Sequence, residues 1–487
     1  MHRRRFLQMS AGLALATSGP ARAEPITEDW RGDVEILRQA WETMHPGLYR
    51  YNTPEQITGR LQGLSAAWSA AGDFRTRFLA LTEVTAAVRC GHTYPSPYNA
   101  DDAVVSRLYP DRALVPFRFR WLDRRMVVTR DDSGQGLFPA GTEITAIDGV
   151  PVRDLLARLI PLARADGGND AKRISLMEVR GDDGYETFDI HLPLVLPLRS
   201  TASFTLGDAR VVSAGLLTLE ERRAGRNPSA DPATDANPWT MELGEDGVAR
   251  LTMPGWALYD STFAWETWLD AAMADLVEAR ARGLVVDLRG NEGGEDCGDI
   301  ILARLLERDL TLENDQRWVR YRRAPAALHP YLDTWDRSFL DWGEAAIPAP
   351  ERPEYFRLTR YDDGQEGKVI SASDRRFQAP LVVLCDASNS SATFQFAKVV
   401  KDNGLGRLVG QPTGGNRRGI NGGAFCFLRL PASGIEVDLP LIASFPTIPQ
   451  PDAAVEPDLR VETTAADIAA GRDPQMTAAL HLLATDA

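Results

Sequence analysis

Residues 283–294 read GLVVDLRGNEGG, and residues 381–397 read LVVLCDASNSSATFQFA. Each begins with a short apolar strand, passes through a polar loop and enters a helix. In the first, Gly283 to Leu288 leads into Arg289–Gly294, then a helix carrying Ile300, Ile301, Leu305 and Leu306. In the second, Leu381 to Leu384 leads into Asp386–Ser390, then a helix from about Ala392 to Asn403 that Gly404 should stop. Apolar strands of this kind belong in sheets buried on both faces. Loops at the carboxyl ends of such strands are where α/β proteins place their sites. The two stretches therefore predict an α/β core with its chemistry in 289–294 and 386–391.

Ser391 falls where a buried strand turns into a helix. Its hydroxyl would sit beside unpaired N–H groups and the positive end of the helix dipole. That favours a nucleophile, with the N–H of Ala392 as one donor to a developing oxyanion. Taken alone, a helix-capping serine is the better account of the position. Gly293 and Gly294 supply a loop whose backbone N–H groups can approach a ligand oxygen. A phosphate cradle is disfavoured, because neither the lysine of GxxxxGK[ST] nor the GxGxxG spacing is present. A serine nucleophile needs a proton acceptor, most commonly histidine. His92, in Cys90-Gly91-His92-Thr93, is the leading candidate, and His45 in His45-Pro46-Gly47 is a weaker one. The chain's lysines are Lys172, Lys368, Lys398 and Lys401. The last two lie well along the helix after Ser391 and should point away from its start, which disfavours a Ser–Lys dyad.

The 487 residues carry 54 Lys plus Arg against 68 Asp plus Glu, a net charge of −14. The acidic balance argues against nucleic-acid binding, which needs a basic face. With 44% apolar and 25% charged residues the chain has material for more than one core. None of the six histidines has zinc-site spacing, so no metal is expected. The four cysteines are expected as buried free thiols, with a Cys90–Cys297 bond after export as the alternative. Residues 1–23 fit a twin-arginine export signal: Arg3-Arg4-Arg5-Phe6-Leu7, an apolar run, then Ala21-Arg22-Ala23. Its removal takes away four arginines and no acid, so the exported chain would carry −18. No later apolar stretch is long enough to span a bilayer, and a periplasmic or secreted protein is expected. Residues 24–102 read as helical, with Asp73 capping a helix whose buried face is Phe74, Phe78, Leu81, Val84 and Val88. Residues 103–205 read as β-rich, including an Asp148-Gly149 hairpin turn. Residues 206–245 are a connecting segment whose Arg222–Pro238 stretch reads as an exposed linker. Residues 246–465 form the expected core and 466–487 a C-terminal helix or tail.

These residues together resemble the serine peptidases that group the C-terminal processing (tail-specific) peptidases with the tricorn core protease and the retinoid-binding modules. The resemblance rests on Gly91-His92-Thr93, Gly141 to Val152, Asp287 to Gly294, Ser391 to Ala397, Gly410 to Gly415 and Val455-Glu456-Pro457-Asp458. It implies a crotonase-like spiral core, an N-terminal helical region and a PDZ-like β-rich segment. It further implies a peptide or protein substrate, no cofactor, Ser391 as nucleophile, and oxyanion donors at Gly293 or Gly294 and Ala392. The processing branch places a catalytic lysine after its Thr-x-Gly turn, where this chain has Asn416 followed by Arg417 and Arg418, and arginine cannot serve as a base. Phe394 replaces the family's usual Glu. The pattern is thus closer to the tricorn-like branch, in which histidine serves the serine, with Glu456 as a candidate third member. The rival expectation is a non-catalytic binder of apolar ligands or peptides on the same fold.

Overall fold

The strand Gly283–Asp287 lies between Val248–Thr252 and Leu381–Cys385, parallel to both, with Val285 opposite Arg250 on one side and Val382 on the other. Arg407–Gly410 and Leu459–Arg460 continue the parallel run, and Thr240–Leu243 closes the far edge antiparallel. Alternation decides which core each side chain joins. Leu284, Val286, Leu381 and Val383 pack with Leu269 and Met273 of helix Trp265–Glu278, Ile301 of Gly298–Leu305, and Phe394 and Ala397 of Ser391–Asp402. Val285, Val382 and Leu384 pack instead with Ala479 and Leu483 of helix Pro474–Thr485. Both faces are covered, so an unbroken apolar run is what the strands require. Each fully buried Val or Leu contributes about 1.5–3 kcal/mol. The computed structural model describes residues 30–97, 100, 102–109, 112–181, 186–225, 237–259, 261–312, 316–360 and 368–485. The export-signal segment 1–23 lies outside them.

Helices Trp30–Met44, Pro54–Ala70 and Phe74–Ala86 form the N-terminal region. Asp73 caps the third, its carboxylate accepting from the Thr76 N–H at 2.9 Å, and Phe74, Phe78 and Leu81 are buried as their spacing demands. The helix ends at Ala86, before the Val88 that its apolar face was expected to include. The amide of Asn52 donates to the carbonyls of Ala87 and Val88 there, and Arg89 turns the chain at φ +60°. These helices have no core of their own. Leu37, Trp41 and Phe78 pack with Leu428, Val437 and Leu439 of a second, antiparallel sheet. Its order is Leu332–Asp333, Asn421–Arg429, Glu436–Ser444, Arg317–Val319, Phe356–Leu358, Ala346–Pro348. The region 246–465 thus holds strands of two sheets, one of them packed with the N-terminal helices.

The middle of the chain forms a third sheet, Phe117–Leu122, Arg125–Asp131, Glu143–Ile147, Thr201–Leu206 and Val211–Gly215, packed on helices Val152–Leu159 and Thr187–Val195. The hairpin turn has Asp148 at φ +47° and Gly149 at +75°, the signs a two-residue hairpin needs. The sheet runs past residue 205 because Val211–Gly215 is its edge strand. The linker also begins later than expected. Leu219–Ala224 is helical, and Arg222 is buried against Asp189 at 3.2 Å. Residues 226–236 of that stretch lie outside the described residues. Cys90, Cys297, Cys385 and Cys426 are buried free thiols.

Candidate active site

The strand Leu381–Cys385 ends in a loop tied to its neighbour by side chains. Asp386 accepts from the N–H of Ser388 at 2.8 Å and from that of Gly290 at 3.2 Å. Asn389, fully buried, donates to the carbonyls of Leu288 and Asn291. Ser390 Oγ donates to the Glu292 carbonyl at 3.1 Å, and Thr393 Oγ1 is 3.0 Å from the Asn291 carbonyl. The two loops read from the sequence are thus one bonded unit.

Ser391 begins the helix Ser391–Asp402 at φ +52°, in the left-handed region that side chains rarely adopt. A serine held there stores backbone strain, and Ser391 is only partly buried. Gly293, at φ +99°, lies against it: a Cβ on Gly293 would come within 2.9 Å of both Ser391 Cβ and the Ala392 nitrogen. Gly294, at φ +143°, passes so close to the Trp256 carbonyl that a Cβ would sit 2.1 Å from its oxygen. The structure brings Ser391, Ala392, Gly293 and Gly294 together. The Gly293 N–H, however, donates to Asn291 Oδ1 at 2.9 Å, and this bond occupies the donor expected of it. Ser391 Oγ makes no hydrogen bond among the described residues.

His92 follows the N-terminal helices on a turn held from both sides. Asp166 accepts from the Gly91 N–H at 2.9 Å, and a Cβ on Gly91 would meet the Asp166 carboxylate. His45 Nδ1 accepts from the Gly47 N–H at 3.1 Å, so in the neutral ring Nε2 carries the proton and donates to Thr93 Oγ1 at 2.8 Å. Burial, with Arg50 and Arg320 nearby, pushes the His45 pKa down to about 3. A buried ring with both nitrogens engaged is no general base, which removes His45 from that role. The His92 ring packs on Phe425 with centroids 5.6 Å apart and faces Gly422. Its turn connects toward the serine helix through Asp166, whose carbonyl accepts from Asn416 Nδ2 at 3.3 Å. Asn416 follows Gly415, which packs on the Phe394 ring.

Glu456 is exposed and forms no hydrogen bond or ion pair among the described residues, so the structure does not bring it to His92. Asp458 is spent on structure, pairing with Lys401 and accepting from the Leu408 N–H at 2.8 Å. Where the processing branch has its lysine, Asn416 is buried, with Nδ2 2.7 Å from Asp452 Oδ1. Arg417 turns away to Asp402. Phe394 is a core residue.

Residues not anticipated from the sequence surround the serine loop. Asn169 caps the helix Asp170–Leu176 and donates to the carbonyls of Thr413 and Gly415. Lys172 Nζ bonds Glu292 Oε1 and the Ser388 carbonyl, each at 2.9 Å. Burial pushes the Glu292 carboxyl up, but Lys172 and Arg164 outweigh it and hold its pKa at about 2. The Gly-Gly-Asn run before Lys172 advertises a turn and a cap, but nothing local announces contacts so far along the chain.

Ser391 thus stands at a strand–helix junction with a left-handed backbone and the Gly293–Gly294 loop against it. Residues 247–422 match the model of peptidase family S41. A structure of mature CPAF is 15% identical, covers 90% of this chain and 93% of its own, and superposes with a TM-score of 0.58. Mature CPAF complexed with lactacystin is 14% identical, with 93% and 96% covered and a TM-score of 0.58. At such identities the likeness is one of fold. No curated protein sequence matches the chain.

Proposed function

We propose that the chain is an exported peptidase that cleaves peptide bonds through an acyl-enzyme on Ser391, with His92 as general base. The observation that carries the reading is the left-handed Ser391 at the head of its helix, with Gly293 against it. In this mechanism Ser391 Oγ attacks the peptide carbonyl while His92 takes its proton and returns it to the leaving amine. The oxyanion is held by the N–H of Ala392 and, since Gly293 is bonded to Asn291, by that of Gly294. Ser391 Oγ is unbonded among the described residues, and in unliganded sites the bond from nucleophile to base often tightens only with substrate. Water then resolves the acyl-enzyme. The catalytic unit is read as a crotonase-like spiral and residues 103–205 as a PDZ-like segment presenting peptide. Export rests on the twin-arginine pattern of residues 1–23. Among the described residues no helix is long and apolar enough to cross a membrane. Incubation with a proteome-derived peptide library tests the reading: wild type should generate new peptide termini and Ser391→Ala none. Equal cleavage by both would overturn it.

A further inference from the structure

Lys172 is almost fully buried and comes from the middle part of the chain, yet its ammonium ends between the two loops of the reaction centre. It bonds the carbonyl of Ser388, in the loop that leads into the nucleophile, and the carboxylate of Glu292, directly before Gly293. The bare Gly414 backbone makes room for its stem: a Cβ there would lie 2.9 Å from Lys172 Cδ. The same helix and its cap make two more contacts, one to this loop and one to the segment 413–415. Ser175 Oγ lies 3.0 Å from Ser388 Oγ, and Asn169 holds Thr413 and Gly415. Arg180, just beyond, reaches Asp386 at 3.2 Å. A structural ion pair needs only a carboxylate. This lysine spends its second bond on a main-chain carbonyl of the nucleophile loop, and so sets one loop against the other.

We infer that Lys172 is a positioning residue of the reaction centre, whose ammonium fixes the nucleophile loop relative to the oxyanion loop through the Ser388 carbonyl and Glu292. The inference rests on the serine-peptidase reading above, and makes the middle sheet's helix part of the catalytic apparatus as well as a presenter of substrate. Lys172→Met alone takes the donor from the Ser388 carbonyl and leaves the half-exposed Glu292 to Arg164 at 3.7 Å, so its loss of activity would mix a changed charge balance with mispositioning. The double variant K172M/E292M removes both charges and separates the two.

The experiment follows inactivation by a fluorophosphonate probe, resolved into its maximal rate and half-saturating concentration, with thermal unfolding and hydrogen exchange alongside. In K172M/E292M the melting temperature should return to within a few degrees of wild type. The maximal inactivation rate should stay at least about tenfold down, with half-saturation within about twofold. Amides of 386–390 should exchange at least about tenfold faster, while those of strand Leu381–Cys385 keep their protection. Lys172→Arg, which restores charge and donors, should recover part of the rate. Wild-type inactivation and loop protection in K172M/E292M would overturn the inference. If wild type itself is not labelled, the peptidase reading fails, and the exchange of 386–390 still decides whether Lys172 holds the loop.

Discussion

His45 Nε2 donates to Thr93 Oγ1 across 2.8 Å, joining the first N-terminal helix to the residue beside the proposed base. The ring is neutral in the fold, with a pKa near 3 against 6.5 when exposed. A depressed folded pKa means that the unfolded chain binds the extra proton. The stability from keeping His45 neutral is therefore complete above pH 6.5 and is lost as pH falls from there toward 3. His191, buried and also lowered to about 3, acts in the same direction. Urea titrations of wild type and His45→Gln between pH 7 and 4 should show the difference in stability shrinking with acid, by up to about 1.4 kcal/mol per pH unit. A pH-independent difference would contradict this account.

Ser391 is strained by its backbone, and the strain predicts a trade of function against stability. A residue with a Cβ in the left-handed region costs about 1–2 kcal/mol, part of which glycine forfeits through its unfolded-state entropy. Ser391→Gly should therefore be more stable than Ser391→Ala by about 0.5–1 kcal/mol, and both should be inactive. Denaturation midpoints compare them, and a less stable glycine variant would argue against the strained geometry.

Gly294 has no space for a side chain, since a Cβ would lie 2.1 Å from the Trp256 oxygen and 2.4 Å from the Ala257 nitrogen, both main-chain atoms. Gly294→Ala should cost about 3 kcal/mol by displacing that backbone. Gly59, within helix Pro54–Ala70, has nothing within 4 Å. Gly59→Ala should instead stabilise by about 0.5–1 kcal/mol through helix propensity. Equal effects at the two positions in calorimetry would count against the described loop.

What was legible in the sequence was what local chemistry dictates. The strands at 283–287 and 381–385 announce themselves because burial on both faces demands continuous apolar residues. Asp73 is readable as a cap and Asp148-Gly149 as a hairpin turn, since few residues tolerate those conformations. The second sheet was not legible. Its strands Asn421–Arg429 and Glu436–Ser444 carry a Gly-Gly pair and the buried acids Glu436 and Asp438, which break the alternation that marks a strand. The helical N-terminus gave no sign that its apolar faces would pack there. At the site, Ser391 and the glycines could be named, but the φ of Ser391 and the Asn291 bond to Gly293 are products of tertiary packing. The helix lysines, Lys398 and Lys401, pair with Asp402 and Asp458. The lysine count could not show that Lys172, remote in sequence, comes within 2.9 Å of the Ser388 carbonyl.

The most direct measurement of the central claim is mass-spectrometric mapping of a fluorophosphonate adduct on the intact folded protein. The account predicts a single adduct on Ser391, absent in Ser391→Ala and at least about a hundredfold slower to form in His92→Ala. No adduct on Ser391 in the folded protein, or an adduct forming at the wild-type rate in His92→Ala, would contradict it.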